Sequence, residues 1–177
     1  ERVSDHLPKT DKYIPKQRLW YIRAKEVVIS SGSIERPLVF GNNDAPGVML
    51  SSAAKEYLKI YGVLVGKKPI IFTNNDSGYE TAIEFKKNGI DPIILDTRKE
   101  ANSEIIKEAK ELNIIIKFSY VVVAAKGYKK VNSADIARIS DDKKNLSNIE
   151  NIKCDCICVS GFWTPSIHLA SQSGNKT

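Results

Sequence analysis

Short apolar runs of strand length alternate with helical patterns through the middle of the chain. Residues 69–72 and 92–95 are apolar runs that open with proline, and 113–118 is a third run of similar length. Helices are expected before and between these strands, at 51–61, 77–88 and 103–112. Strands that alternate with helices in this way favour an α/β fold with a mainly parallel sheet.

The predicted helices carry local start and stop signals. Ser51 and Ser52 can cap the first helix, and Gly62 ends it. Ser77 and Glu80 have the spacing of a capping box, so the second helix is expected to begin at Ser77.

The flanking regions have β-rich patterns. Residues 120–125 form an apolar run, Gly127 marks a turn, and 131–139 is expected to pair back on the run. Residues 149–159 are predicted as the last strand region. Near the start, 13–23 and 24–30 are predicted as strands, with a hairpin turn near residues 23–25.

Two distant stretches repeat one pattern, in which an apolar strand runs into a serine–glycine turn and then a proline. They are residues 27–37 and 157–165. The missing side chain of Gly32 lets other backbone approach the first turn. We interpret the pair as the exit from one dinucleotide-binding domain and the return from another inserted into it. The predicted boundaries are 1–50 for the first domain and its connection, 51–150 for the inserted domain, and 151–177 for the return.

The turn from Thr73 to Gly78 lies where a dinucleotide fold carries Gly-x-Gly-x-x-Gly between strand and helix. Thr73 and Asn75 stand at the first two glycine positions, and only Gly78 remains. Asparagine tolerates the left-handed conformation, but Asp76 puts a negative charge where the helix N-terminus would face a phosphate. We interpret the turn as a scaffold whose grip on phosphate is weakened or lost. An atypical nucleotide site and an ordinary strand–helix turn are the alternatives.

Asp96 closes the next strand, 18 residues after Gly78. An acidic residue at this place commonly binds the ribose hydroxyls of NAD. The alternative is that Asp96 caps the backbone or pairs with Arg98, and the pattern does not separate the two.

Charge and composition exclude some function classes. The 177 residues carry 27 Lys and Arg against 21 Asp and Glu, a net charge of +6, but the lysines are spread along the chain. A nucleic-acid surface needs clustered basic residues, so we expect no nucleic-acid partner. No apolar run approaches the roughly 20 residues that span a bilayer, so no membrane association is expected. The chain lacks an initiator methionine and a signal segment, and we expect it to be a fragment of a longer polypeptide.

Few residues offer catalytic or metal chemistry. Cys154, Cys156 and Cys158 alternate, which predicts three buried thiols on one face of a strand, and no second ligand pair supports a zinc site. Nothing indicates a disulfide framework, which favours a cytoplasmic location. No Ser-His-Asp set or carboxylate pair is present, so we assign no catalytic residue and no metal ligand. Any redox chemistry would belong to a bound cofactor.

Four segments resemble the alpha subunit of heterotetrameric sarcosine oxidase. Residues 30–37 resemble that family's Ala-Thr-Gly-Ala-Ile-Glu-Arg-Pro, and 42–50 match Asn-Asn-Asp-Arg-Pro-Gly-Val-Met-Leu except at Ala45. Residues 72–77 match Phe-Thr-Asn-Asn-Asp-Ser, and 159–165 resemble Val-Ser-Gly-Gly-Trp-Asn-Pro except at Phe162 and Thr164. The matches span nearly the whole chain.

This resemblance implies an α/β, Rossmann-like dinucleotide-binding domain of the two-dinucleotide-binding flavoprotein type, with an inserted second nucleotide-binding-like domain. It implies an NAD-binding subunit in a complex with beta, gamma and delta subunits. That complex oxidises sarcosine to glycine, reduces oxygen to hydrogen peroxide, and passes the one-carbon unit to tetrahydrofolate. FAD on the beta subunit oxidises the amine, and FMN near the alpha–beta interface receives electrons. The first glycine-rich turn is expected before residue 1 and a folate-binding-like domain after the last residue, so this stretch alone should bind dinucleotide poorly.

The candidate cofactor contacts combine the turns with the resemblance. Backbone at Ser31–Ser33 and Gly161 is expected to approach the dinucleotide or close its site. Trp163 would stack there or belong to the core. The full set is Ser31, Gly32, Ser33, Thr73, Asn74, Asn75, Asp96, Gly161 and Trp163.

Two other functions stay open at this point. One is an NAD(P)H–flavin oxidoreductase or a related amine dehydrogenase subunit, which would need an intact glycine-rich turn at 73–78. The other is a non-catalytic scaffold subunit whose dinucleotide is structural. A scaffold would hold a nucleotide that sarcosine does not reduce.

Overall fold

A computed structural model describes residues 1–9, 11–140, 142, 145–147, 149–172 and 174. The chain divides into two compact units, one formed by Glu1–Ser31 with Ile167–Thr177, and the other by Gly32–Ser166. We call them the terminal unit and the inserted unit. The elements in chain order are β1 (Ser33–Arg36), β2 (Val48–Leu50), α1 (Ser51–Tyr61), β3 (Pro69–Thr73), α2 (Ser77–Lys87), β4 (Ile93–Asp96), α3 (Glu104–Glu111), β5 (Ile115–Phe118), β6 (Tyr120–Lys126), β7 (Ser133–Arg138), β8 (Glu150–Lys153), β9 (Cys156–Ser160), β10 (Phe162–Pro165) and α4 (His168–Gln172).

A five-stranded parallel sheet with the order β2-β9-β3-β4-β5 is the centre of the inserted unit. Consecutive residues of its strands point to opposite faces. Ile71 and Ile94 pack against helices α1 to α3, whereas Ile70 and Leu95 pack against an antiparallel sheet of β6, β7 and β8. The sheet is therefore buried on both faces, which explains the continuous apolar runs of its strands.

The elements predicted in the middle of the chain are confirmed. The three helices and the three strands after residue 50 lie where they were expected, within a few residues at each end. Gly62 ends α1 at φ 64°, and its N–H donates to the Leu58 carbonyl of the last turn. The return of 131–139 onto 120–125 is confirmed by the antiparallel pair of β6 and β7.

The strand region predicted at 149–159 is two strands in different sheets. β8 pairs with β7, and β9 pairs with β3 and β2. The chain passes between the sheets at Cys154 and Asp155. The Asp155 carboxylate accepts the N–H groups of Lys67 (2.8 Å) and Lys68 (2.7 Å) and so fixes this crossing beside the start of β3.

The prediction of strands and a hairpin at residues 13–30 is wrong. Residues 11–31 contain no strand, and the Val27 and Val28 side chains are 77% and 89% exposed. A strand needs a neighbour that takes its backbone hydrogen bonds and covers one face. In the described residues the pairing of this stretch is limited to an isolated antiparallel bridge between Arg2 and Gln17, so its apolar pattern alone does not make it a strand.

The three cysteines are free and buried. Cys156 and Cys158 lie on the helix-facing side of β9, but Cys154 packs on the opposite side of the sheet because it precedes the crossing into β9. The prediction of a single face is therefore wrong for Cys154. In the part of the chain that the structure describes, no group of three or more His, Cys, Asp or Glu could hold a metal ion. None of the described helices is long and apolar enough to cross a membrane.

Alkaline pH is expected to destabilise the fold through the buried thiols. Burial, followed by the nearby Asp155 charge, raises the pKa of Cys154 from 9.0 to about 12. In the unfolded chain this thiol ionises at its ordinary pKa. The free energy of unfolding is therefore unaffected by this group below pH 9.0 and decreases as the pH rises from 9.0 to about 12. Each such thiol adds a slope of about 1.4 kcal/mol per pH unit in that window. Urea unfolding over the window should show a smaller slope for Cys154→Ala, and an unchanged slope would contradict this account.

Candidate functional site

The carboxyl ends of β9, β3 and β4 meet at one edge of the parallel sheet. In the strand register Thr73 lies beside Ser160 on one side and Asp96 on the other, and all three are fully buried. Ligands of open α/β sheets bind outside this edge, where helix N-termini also point. The structure thus brings the predicted residues Thr73 and Asp96 together, beside Ser160, which directly precedes the predicted Gly161.

The Thr73 and Asn75 side chains both hydrogen-bond backbone groups of the turn and of the helix start that follows it. Thr73 Oγ1 accepts the N–H of Asn75 at 3.1 Å and donates to the Asn75 carbonyl at 2.9 Å. Asn75 Oδ1 accepts the N–H of Ser77, the first residue of α2, at 2.8 Å. In a glycine-rich turn such an N–H would be offered to a phosphate. Here an amide oxygen of the chain takes it.

The first turn of α2 begins at Ser77 as predicted, but without the capping box. Asp76 precedes the helix and makes no side-chain cap hydrogen bond. Glu80 extends away from the helix start and pairs with Lys55 at 2.6 Å. The predicted start of the helix is therefore confirmed. The predicted capping contact is wrong, because the Lys55 ammonium competes for the Glu80 carboxylate.

Gly78 keeps the role of the third glycine. A Cβ atom at this position would lie 2.8 Å from Thr73 Cβ, closer than side-chain atoms approach one another. The missing side chain therefore allows α2 to pack directly on the end of β3, which is what the third glycine of the dinucleotide motif does.

Gly78→Ala is expected to cost about 1–2 kcal/mol, because the overpacking penalty exceeds the helix propensity gained. Thr73→Gly removes the atoms that the new methyl group would meet. The double variant Thr73→Gly/Gly78→Ala should therefore be more stable than the sum of the two single changes predicts. Urea unfolding of the four proteins measures this coupling, and strict additivity would contradict the contact.

Asp96 is held by a network of donors. Its carboxylate accepts the Tyr79 hydroxyl at 2.7 Å, and the Arg98 guanidinium donates from Nε at 3.0 Å and from Nη2 at 2.7 Å. Arg98 also donates its backbone N–H to Asp96 and pairs with Asp76 through Nη1 at 2.8 Å. Burial and the bond to Asp96 raise the pKa of Tyr79, so its hydroxyl stays protonated and donates. The alternative that Asp96 pairs with Arg98 is confirmed, whereas its role at a ribose stays a prediction.

The remaining candidates of the inserted unit lie on or next to a two-stranded antiparallel ribbon formed by β1 and β10. Gly161 precedes β10 and donates its N–H to the Arg36 carbonyl at 2.8 Å. A Cβ at Gly161 would lie 2.7 Å from that oxygen, so the expected close approach of backbone is present. The approaching group is the chain itself. Whether a dinucleotide also contacts Gly161 stays a prediction.

The other predicted residues take different positions. Gly32 has φ 66° and accepts the N–H of Ser166 at 2.9 Å, and Ser33 begins β1 opposite Pro165. Ser31 belongs to the terminal unit. Trp163 is 42% exposed, so it is not a core residue, and its indole N–H donates to Ser77 Oγ at 2.9 Å.

Glu35 is a site residue whose role the sequence does not reveal. It is 5% exposed on β1, and its Oε2 accepts the N–H of Ser52 at 2.9 Å and the hydroxyl of Ser52 at 2.6 Å. This carboxylate caps α1 from a distance of 17 residues in the chain. A cavity of about 160 Å³ beside it is lined by residues of the ribbon and of both helix starts, among them Glu35, Ser52, Ser77 and Trp163.

Comparisons with known proteins agree with the motif-based resemblance. No family model matches the chain. It is 36% identical over 99% of its length to the sarcosine oxidase subunit alpha of Rhizobium meliloti (strain 1021), and 32% identical over 92% to that of Corynebacterium sp. (strain U-96). The chain spans about 17% of the length of each of these relatives. The resemblance to sarcosine oxidase alpha subunits is therefore confirmed for this stretch.

Solved structures with the same fold include a thioredoxin reductase and a ferredoxin reductase. The thioredoxin reductase of T. acidophilum gives a TM-score of 0.64 at 17% identity, covering 82% of this chain and 46% of that one. A ferredoxin reductase from Rhodopseudomonas palustris gives 0.58 at 15% identity, covering 82% and 36%. These likenesses confirm the predicted fold class, a Rossmann-like FAD/NAD(P)-binding fold.

Proposed function

We propose that this chain is a central part of the alpha subunit of a sarcosine oxidase complex, an oxidoreductase acting on the CH–NH bond of its substrate. The observation that carries the proposal is the similarity to named alpha subunits over 99% of the chain. The fold is suited to this role because it is a Rossmann-like FAD/NAD(P)-binding fold, shared with a thioredoxin reductase and a ferredoxin reductase.

The proposed complex joins this subunit with beta, gamma and delta subunits in the cytoplasm. NAD would be held by the alpha subunit, and FAD and FMN would carry the electrons from sarcosine to oxygen. Oxidation of the N-methyl group leaves glycine and a one-carbon unit for tetrahydrofolate, while oxygen takes up two electrons and two protons to give hydrogen peroxide. This chain's own residues would orient and support the cofactor domain, and no catalytic residue is assigned to it.

The inserted unit itself does not fit a dinucleotide at the 73–78 turn. The N–H of Ser77 is taken by Asn75 Oδ1, and Asp76 places a carboxylate beside the helix start. Arg98 covers the Asp96 carboxylate where a ribose would approach. We therefore place NAD in the first domain, to which Ser31–Ser33 lead, and derive no chemical step at this turn.

The filled turn also bears on the two other functions. A free-standing NAD(P)H–flavin oxidoreductase would need the 73–78 turn to be open to a phosphate group. The hydrogen bonds that fill this turn argue against that function. A scaffold subunit with a structural dinucleotide does not require an open turn at 73–78 and stays the second candidate. Reduction of the bound nucleotide by sarcosine separates the two, because a scaffold would leave it unreduced.

The test uses the complete polypeptide that contains this chain, purified with its partner subunits. Denaturation should release NAD, identified by chromatography and mass, and Asn74→Ala in the turn should leave the amount per alpha subunit unchanged. Loss of NAD in that variant would move the site to the inserted unit and contradict the proposal. Release of FAD instead would favour the reductase or amine dehydrogenase, and release of no nucleotide would favour a scaffold without a cofactor.

A further inference from the structure

The β1–β10 ribbon carries both covalent connections of the inserted unit. Gly32 lies just before β1 and Ser166 just after β10, and these residues are the ends of the unit. The two strands pair over four residues, from Ser33 with Pro165 to Arg36 with Phe162. A two-stranded ribbon of this length is weak by itself, so its conformation depends on what fastens it to the body of the unit.

The amide of Asn75 connects the end of the ribbon to the start of α2. Its Nδ2 donates to the Gly161 carbonyl at 2.7 Å and to Asn74 Oδ1 at 3.0 Å and lies 3.3 Å from the Ser160 carbonyl, while its Oδ1 accepts the N–H of Ser77. Three acceptors around one amide atom and a backbone donor at the other fix which atom is nitrogen and which is oxygen. A glycine at this position, as in an intact phosphate turn, could make none of these bonds.

Two further contacts fasten the ribbon, one on each strand. Trp163 on β10 donates its indole N–H to Ser77 at 2.9 Å, and Glu35 on β1 caps α1 through Ser52. Arg36 Nε donates to Thr164 Oγ1 at 3.1 Å across the ribbon. The starts of α1 and α2, which point at a ligand in a working dinucleotide site, here both bind ribbon residues.

We propose that the degenerate phosphate turn is a clamp that fixes the β1–β10 ribbon to the inserted unit, with Asn75 as its central positioning residue. The group that replaced the second glycine does two things at once: it takes the helix N–H that phosphate would take, and it donates to the chain that leaves the sheet. The inserted unit thereby holds its own connections in one conformation. This inference does not depend on which cofactor the complex binds or on its substrate.

The test is Asn75→Asp in the complete polypeptide, followed by hydrogen–deuterium exchange. An aspartate keeps an oxygen for the Ser77 N–H, so the helix start is retained, but it loses the bonds that Nδ2 donates and sets a carboxylate against the Gly161 and Ser160 carbonyl oxygens and Asn74 Oδ1. Asn43→Asp is the matched control, because it adds the same charge at an exposed asparagine of the same unit. Trp163→Phe removes the second fastening while keeping an aromatic ring.

Asn75→Asp is expected to speed exchange of the Gly161 amide and of the β10 amides about tenfold, as loss of one or two buried hydrogen bonds allows. Trp163→Phe should speed the same amides by a smaller factor, and Asn43→Asp should leave them unchanged. Amides of β3 and β4 should exchange at the original rate in all three variants. Unchanged ribbon exchange in Asn75→Asp would overturn the clamp, and so would an equal acceleration in β3 and β4, which reports general destabilisation. Neither result depends on the amount of NAD released, so the clamp and the proposed function fail separately.

Discussion

Asp96→Asn is expected to lower the free energy of unfolding by about 3 kcal/mol, because it removes one partner of a buried charge pair. The neutral amide keeps the shape of the side chain and an oxygen for the Tyr79 hydroxyl. It cannot accept the two-point bond of the Arg98 guanidinium, which is left beside a fully buried neutral group. Urea unfolding followed by tryptophan fluorescence or circular dichroism measures the change.

Asp91→Asn is the matched control for this substitution. The Asp91 side chain is 82% exposed and pairs with Lys86 at the surface, where an ion pair contributes little. We expect its unfolding midpoint to stay within error of the original protein. If Asp96→Asn were equally stable but released less NAD, Asp96 would be a cofactor ligand and the structural account of its network would be wrong.

Gly161→Ala is expected to cost about 3 kcal/mol, because the new methyl group meets main-chain atoms that cannot rotate away. The Cβ would lie 2.7 Å from the Arg36 carbonyl oxygen and 3.2 Å from the carbonyl of Pro37. Relief would require the two crossing segments to separate, which would also break the bond from the Gly161 N–H to Arg36. The measurement is again the free energy of unfolding from urea titration.

Gly89→Ala serves as the comparison for a glycine with free space. Its φ is 79°, but no atom lies within 4 Å of a Cβ there, so the cost is only that of the backbone conformation, about 1 kcal/mol. If Gly161→Ala lowered the free energy of unfolding no more than Gly89→Ala, the backbone segments at Gly161 and Arg36 could separate at little cost. Their close approach would then not stabilise the fold.

The central sheet and its helices could be predicted because their signals are local. Continuous apolar runs, glycine stops and helical spacing each depend on neighbours in the chain, and tertiary packing reinforces them in β3, α2 and β4. The stretch at 19–29 has an equally apolar pattern, yet it forms no strand. The two stretches differ in whether a neighbouring strand is available. β3 lies between β9 and β4, whereas residues 19–29 have no neighbouring strand in the described chain.

The candidate site was predictable only in part. The spacing of Thr73, Asn75 and Gly78 predicted a turn between strand and helix, but not what fills the turn. The contacts that fill it join residues far apart in the chain, such as Trp163 with Ser77 and Asn75 with Gly161. A single sequence carries no signal for such pairs, because each partner looks like an ordinary polar or aromatic residue at its own position.

The meeting of Gly32 and Ser166 has a consequence for how this fold can be rearranged. Because the Ser166 N–H is bonded to the Gly32 carbonyl, the unit begins and ends at one point. A module with adjoining ends can be spliced into a surface loop of another protein, or deleted from its host, with only a short gap to close. The architecture is thus compatible with recombination of whole modules, in which such a unit is gained or lost intact.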